Sequence, residues 1–515
     1  MICDFKFEKR IEMRKKKSSP RILVVTPEIT SLPPGMGNMA NRLRAKAGGL
    51  ADVSASLVGA LFRCGADVHV ALPHYRKMFH EDPGAMMGSD LRAYMMHFNN
   101  SSRIHLAEDR IFYYRDTVYS SYSDDSFKQA VAFQREVLNN IIPAVKPDLI
   151  HCNDWMTGLI PGAARRMGIP CLFTVHNIHT SKVTLEHIED RGLDTASFWE
   201  NLYYERPPVN YEETRTANPV DLLTSGIFGA HFINTVSPTF LKEIVEGCHD
   251  FVAPQIRQEI SAKYYSGCAG GILNSPDESE NPETDPALEV CYTAENHFNA
   301  KRANKTAFQN RTGLLVDPDA PLFFWPNRLD PVQKGCQLLA EIMYDLVHRY
   351  YDKHFQIAIV ANGSHQKIFR DIVAFHDFYD RVTVCDFDEK LSHLAFAASD
   401  FVLMPSRFEP CGLPQMTAQY YGSLPVVRDT GGLHDTVEHY NFAENTGNGF
   451  VFRDYDTNGL SWAVDEAMRF YALPAEIRER SIANVMRNAK LRFNHDVTAR
   501  HYIDIYESML ARPLL

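Results

Sequence analysis

Short apolar runs recur along the chain, separated by stretches whose apolar positions keep helical spacing. RILVVTPEI (Arg21–Ile29) and GADVHVALP (Gly65–Pro73) each predict a buried strand. Between them Leu50, Val53, Leu57 and Leu61 fall on one stripe and predict a helix. The strand, helix, strand pattern continues through DLIHCND (Asp148–Asp154), PCLFTVHN (Pro170–Asn177) and HFINTVSP (His231–Pro238), with room for a crossover each time. Such alternation predicts an α/β fold with a parallel sheet covered on both faces. Ligands then sit at the carboxyl ends of its strands.

Between Ser266 and Pro286 the chain reads SGCAGGILNSPDESENPETDP, the composition of a linker, and a domain boundary near residue 300 follows. A second series of strands begins at APLFFWPNRL (Ala320–Leu329) and runs through FQIAIVANG, RVTVCDF, FVLMPSR, LPVVRD and GFVFRDY. Two doubly wound domains in tandem would face each other across a ligand-binding cleft. HDVTARHYIDIYESMLA (His495–Ala511), with Tyr502, Ile505, Tyr506 and Met509 in register, predicts a terminal helix. The expected division is a basic flexible tail (1–19), a first Rossmann-like domain (20–300), a second (301–494) and the last helix (495–515).

At 515 residues the chain exceeds one compact core, while 45% apolar and 23% charged content are ordinary for a globular protein. The net charge of -11 argues against nucleic acid as a partner, because a duplex binder needs a broad basic surface. Ten cysteines without a CxxC pair indicate neither a zinc site nor a disulfide framework, and the reading is a reduced, cytoplasmic protein. The N-terminus, MICDFKFEKRIEMRKKKSSPR, is basic but lacks the apolar core of a secretory signal. No stretch of about 18 apolar residues predicts a membrane span.

Several groupings carry chemistry. Lys46, Gly48 and Gly49 lie between the first strand and first helix, where glycine N–H groups and a helix start suit a phosphate, although an isolated Gly-Gly also serves as a plain tight turn. Asp154 and His176 follow consecutive strands, as sugar ligands or as strand-end hydrogen-bonding devices. Arg328 and Lys334 flank RLDPVQKG after the first strand of the second series, where two fixed cations would stabilise a departing diphosphate without a metal. Asp317/Asp319, Asp386/Asp388 and Asp454/Asp456 have Asp-x-Asp spacing but no nearby His or further acid, and read as surface turns. In RFEPCGLPQ, Glu409 suits sugar hydroxyls, the backbone of Cys411, Gly412 and Leu413 opens a helix, and Cys411 itself suits a space-filling role; Thr430, Gly431 and Gly432 offer N–H groups at another helix start.

In this order, KAGGLADV, HCNDWMTG, TVHN, NTVSP, GILN, RLDPVQKG, PSRFEPCGLPQ and DTGGLHDTV resemble the motifs of bacterial glycogen synthases and plant starch synthases, glycosyltransferase family 5, from about residue 21 to the C-terminus. The resemblance implies a GT-B fold of two Rossmann-like domains facing across a cleft, with the last helix returning to the first domain. It implies transfer of glucose, with retention, from ADP-glucose or UDP-glucose to the 4-OH at the non-reducing end of an α-1,4-glucan. By matching position, Lys46, Gly48 and Gly49 would contact the distal phosphate, and Arg328 and Lys334 would hold the diphosphate. Asp154, His176, Asn274 and Glu409 would surround the glucose, and Thr430, Gly431 and Gly432 would receive phosphate or ribose. No metal or other cofactor is implied. Related retaining transferases carry a second acid eight residues after the first, where this chain has Thr417; Arg328 and Lys334 stand one residue further apart than is common, HNIHTSK lacks a Tyr-Gln-Gly continuation, and Thr224 replaces a typical lysine. The alternatives are a noncatalytic glucan-binding or regulatory homologue, and a family 4-like transferase with another acceptor.

Overall fold

The computed structural model describes residues 19–37, 39–40, 43–79, 103–119 and 123–515. The basic tail expected over 1–19 lies outside them except for its last residue. The chain forms two compact units: Met1–Ile233 with Ala499–Leu515, and Asn234–Thr498.

The first unit is built on β1 (Arg21–Val25), β2 (Asp67–Pro73), β3 (Ile104–Ala107), β4 (Leu149–Asn153) and β5 (Cys171–Val175), with a short antiparallel pair, β6 (Lys182–Val183) and β7 (Val220–Asp221). With β8 (Phe232–Thr235) and β9 (Ala269–Gly271) these strands give the sheet order β3-β2-β1-β4-β5-β8-β9. Its described pairs in the first unit are parallel, with Ile22 opposite both Val68 and Leu149. Residues 22–25 of β1 are fully buried, as expected of a strand covered on both faces. Leu50, Val53, Leu57 and Leu61 are the buried stripe of the helix Gly49–Arg63. The last helix, His495–Leu510, places Tyr502 and Tyr506 in the first unit's core, and the Tyr506 hydroxyl lies 2.7 Å from His151 Nδ1 on β4.

The second unit contains β10 (Leu322–Trp325), β11 (Gln356–Val360), β12 (Val382–Cys385), β13 (Phe401–Met404), β14 (Leu424–Arg428) and β15 (Phe450–Phe452), ordered β12-β11-β10-β13-β14-β15 and parallel throughout. Side chains alternate across the pleat. Phe323, Trp325, Ile357, Ile359, Phe401 and Leu403 fill a core on one face, and Leu322, Phe324, Ala358, Val360, Val402 and Met404 fill another on the opposite face. Among the described residues no helix is long and apolar enough to cross a membrane.

The two compact units part at Ile233, inside β8. Glu243 accepts from Thr430 and Gly431, Asp435 accepts from Ser237 and Thr239, and the Tyr292 hydroxyl donates to the Tyr421 carbonyl, contacts that lie within the second unit, Asn234–Thr498. The segment expected to be a linker is likewise packed. It contains β9, its Ser275 hydroxyl bonds Thr498 at 2.8 Å, and its buried Asp285 accepts from Tyr421. Gly271 permits this, because a Cβ there would lie 2.3 Å from Pro238 N.

Candidate active site

In each sheet the order reverses direction between two adjacent strands, β1 and β4 in the first and β10 and β13 in the second. Crevices at the carboxyl ends of such a switch point are where open α/β sheets bind ligands. Most of the candidate residues fall there.

In the first unit Lys46 lies in the loop between β1 and the helix Gly49–Arg63, half-exposed, with its ammonium 2.8 Å from Asp52 Oδ2. Gly48 is extended, and a Cβ built on it would meet no atom within 4 Å. Packing therefore does not require a glycine there; its bare backbone borders open space. Its N–H, with that of Ala47, is already committed to Glu28 Oε2 at 2.9 and 2.8 Å, so it is not available to a phosphate in this state. Glu28, which composition and spacing did not single out, is buried and also accepts from the Tyr119 hydroxyl at 2.5 Å.

Asp154 follows β4 with φ 57 and ψ 179, a backbone region that disfavours side chains and is held only where the surroundings over-determine it. Its carboxylate accepts from the His176 N–H at 2.8 Å and from the Asn177 backbone and side chain. Burial pushes its pKa up to about 7, against the opposing pull of those N–H donors. Of the two readings open for Asp154, the structure favours the strand-end device: it positions His176. The His176 imidazole, pushed down to about 3 by desolvation, is neutral; its Nε2 lies 2.9 Å from Asn153 Oδ1, which makes Nε2 the protonated nitrogen. Asn153 in turn donates to the Val25 carbonyl and ties the end of β4 to β1.

In the second unit Arg328 is exposed after β10 and Lys334 is buried. The wider spacing is taken up by a turn around Asp330, whose carbonyl accepts from the Lys334 N–H and whose carboxylate accepts from the Val332 N–H. Gly335, at φ 72, then lets the loop pass so close to Pro405 that a Cβ would lie 2.1 Å from its carbonyl oxygen. The result is a buried ion pair of 2.6 Å between Lys334 Nζ and Glu409 Oε2, with Ser406 Oγ donating to the same oxygen at 3.0 Å. Both contacts fall on the Oε2 atom of Glu409. Asn274 is buried with its side-chain oxygen unpartnered, and so is Asn327 with its side-chain nitrogen, beside Arg328. Buried polar atoms without a protein partner are ones a ligand can satisfy.

Cys411 is buried and its thiol is pushed up to about 12 by desolvation, which suits the space-filling role and excludes a nucleophilic one. Gly412 is left-handed at φ 72, and Leu413 leads into the helix Pro414–Tyr420. Thr430, Gly431 and Gly432 do not present their groups outward as expected. Glu243 accepts from Thr430 Oγ1 and, at 3.0 Å, from the Gly431 N–H, while the Gly432 N–H donates to the Glu409 carbonyl at 3.0 Å. These glycines allow close backbone approach: a Cβ on Gly431 would lie 2.0 Å from the Glu409 oxygen, and one on Gly432 1.9 Å from the Cys411 oxygen. Desolvation raises the pKa of Glu243, but hydrogen bonds from His249 and Gly431 outweigh it and hold the carboxyl below its usual range. Thr417, at the second-acid position, donates to a carboxylate from elsewhere in the unit, that of Glu280, at 2.7 Å.

Five of the six Asp-x-Asp carboxylates are helix caps or ion-pair partners. Asp388 and Asp456 cap helices, Asp317 and Asp319 pair with His354 and Arg302, and Asp386 pairs with Arg370. No group of three metal-ligating side chains occurs among the described residues.

Residues 21–253 match the starch synthase catalytic domain family, and residues 307–484 match glycosyl transferases group 1. A glycogen synthase from Bacillus subtilis (strain 168) is 30% identical over 492 residues, covering 90% of this chain and 95% of that protein. One from Moorella thermoacetica is 31% identical over 518 residues, 96% of this chain and 97% of its own length. The catalytic domain of starch synthase IV from Arabidopsis thaliana, bound to ADP and acarbose, superposes with a TM-score of 0.75 at 26% identity, covering 96% of this chain and 100% of that one.

Proposed function

This chain belongs to the glycogen and starch synthase family, and from that premise we propose a donor, an acceptor and residue roles for it. It is a retaining glycosyltransferase with the GT-B fold. The donor is ADP-glucose and the acceptor the non-reducing 4-OH of an α-1,4-glucan; the ADP and acarbose in the Arabidopsis starch synthase IV structure support this choice.

The observation that carries the roles is the buried Lys334–Glu409 pair at the carboxyl ends of β10 and β13. An ammonium has three donors, so Lys334 can hold Glu409 with one and a diphosphate oxygen with another. As the C1–oxygen bond to the diphosphate breaks, negative charge develops on the leaving group, and Lys334 and Arg328 stabilise it. A departing diphosphate oxygen accepts the proton of the acceptor 4-OH, whose oxygen bonds C1 on the same face, so configuration is retained. Glu409 Oε1 and Asn274 Oδ1 accept from glucose hydroxyls, His176 orients the sugar, and Asp154 fixes His176. Lys46 and Gly49 meet the distal phosphate in the space beside Gly48, whose own N–H stays with Glu28, and Cys411, Gly412 and Leu413 line the glucose side.

The test is a donor-by-acceptor screen on the purified protein. Glucose incorporation into glycogen with release of ADP is expected, faster from ADP-glucose than from UDP-glucose and unchanged by EDTA. No incorporation into any glucan from either donor overturns the reading, and loss of turnover on chelation overturns the cation roles.

A further inference from the structure

A cavity of about 760 Å³ opens on the second unit beside β15, and neither Arg328, Lys334 nor Glu409 lines it. Its wall carries Trp462, whose side chain stays 48% exposed. The indole lies parallel to the His439 ring, with centroids 5.4 Å apart and planes 12° apart. His439 is itself fixed, because its Nδ1 accepts from the Val451 N–H at 3.1 Å. The result is an aromatic platform backed by a fixed imidazole and set in the wall of a cavity.

Polar groups surround the platform. His434 Nδ1 lies 2.6 Å from Asp429 Oδ1, with the rest of its ring exposed, and Glu438, Asp454 and the exposed Arg453 complete the rim. Three carboxylates against one guanidinium disfavour a phosphorylated ligand. A neutral polyhydroxylated one fits: a pyranose stacks its apolar C–H face on an indole and gives its hydroxyls to carboxylates and imidazole. A second cavity of about 450 Å³ shares Glu438 and is lined by Asn484 and Asn488, whose side-chain amide nitrogens can donate to hydroxyls.

We propose that these neighbouring cavities bind a stretch of α-1,4-glucan chain outside the candidate active site, with Trp462 as the stacking platform. The proposal rests on the reading that the protein acts on a glucan. A polymer held at a second point dissociates more slowly and keeps its other ends at high effective concentration. A short acceptor fills one site at a time and gains nothing.

The experiment compares wild type with Trp462→Ala and Trp462→Phe by mobility in glycogen-containing native gels, and by initial rates with glycogen and with maltotriose. The Ala variant is expected to lose glycogen retardation and to raise KM for glycogen by at least ~10-fold, with kcat/KM for maltotriose unchanged and the Phe variant close to wild type. Unaltered retardation and KM in the Ala variant overturn the proposal. So does an equal loss with maltotriose, because the residue would then act through the fold or the chemistry. Gel retardation reads the site without turnover, so a wild type that transfers no glucose but is retarded through Trp462 overturns the proposed function and leaves this site standing.

Discussion

Lys334 and Glu409 stand in a buried pair whose two members are unequal in what their loss would do. Truncating Lys334 strands a carboxylate that is 5% exposed, and removing one partner of a buried pair costs about 3–5 kcal/mol. Lys334→Ala is therefore expected both to lower stability in urea melts and to cut turnover by ~100-fold or more. Arg328→Ala should cut turnover on the same scale with little effect on stability, since Arg328 is exposed. Unchanged turnover in both variants rules out the diphosphate roles. Among the histidines, His151 is fully buried and pushed down to about 3 by desolvation, from an ordinary value of 6.5. Its folded pKa lies below its unfolded one, so its contribution is present above pH 6.5 and is lost as pH falls toward 3. Between pH 6.5 and 5 the wild type should lose about 1.5 kcal/mol that a His151→Gln variant does not lose, measured by denaturant unfolding at both pH values.

At the scale of elements, two glycines in similar settings between a strand and a helix serve opposite purposes. Gly432 begins a short helix against the loop that carries Glu409, and an added Cβ would stand 1.9 Å from the Cys411 oxygen. Gly432→Ala must push that loop, and a displacement near 1 Å is expected to reduce kcat by ~100-fold, with a lowered melting temperature. Gly48→Ala meets no atom within 4 Å. Its melting temperature should match or exceed the wild type while kcat/KM for the donor falls, because the methyl group fills space left for the ligand. Equal behaviour of the two variants in melting and kinetics would contradict this contrast.

At the scale of the whole molecule, the chain leaves the first unit at Ile233 and re-enters it at Ala499. The first unit is thus completed by residues that follow the second unit in the chain. Removing Ala499–Leu515 takes away Tyr502 and Tyr506, both buried, and exposes His151. Losing large aromatic side chains from a core costs about 3–5 kcal/mol each, so the truncated chain is expected to melt at least ~10 °C lower, with the first unit unfolding first. A single transition at the wild-type temperature would show that this helix is not part of that core.

Strand positions were legible because burial on a parallel sheet needs only a local run of apolar residues: RILVV, FQIAIV and FVLMP each announce themselves. The loops that follow those strands were legible too, since Lys46, Asp154, Arg328, Lys334 and Glu409 stand where chemistry collects in an open sheet. The strands β3 and β9 were not, and a short Ala-Gly-Gly strand has no pattern to read. Nor did spacing reveal that Glu28 takes the Gly48 N–H, or that Glu243 takes that of Gly431 from 188 residues away. Periodicity is a property of a segment and survives in one dimension. The partner of a buried carboxylate is chosen by which N–H the packed chain brings within about 3 Å, and only the folded molecule makes that choice.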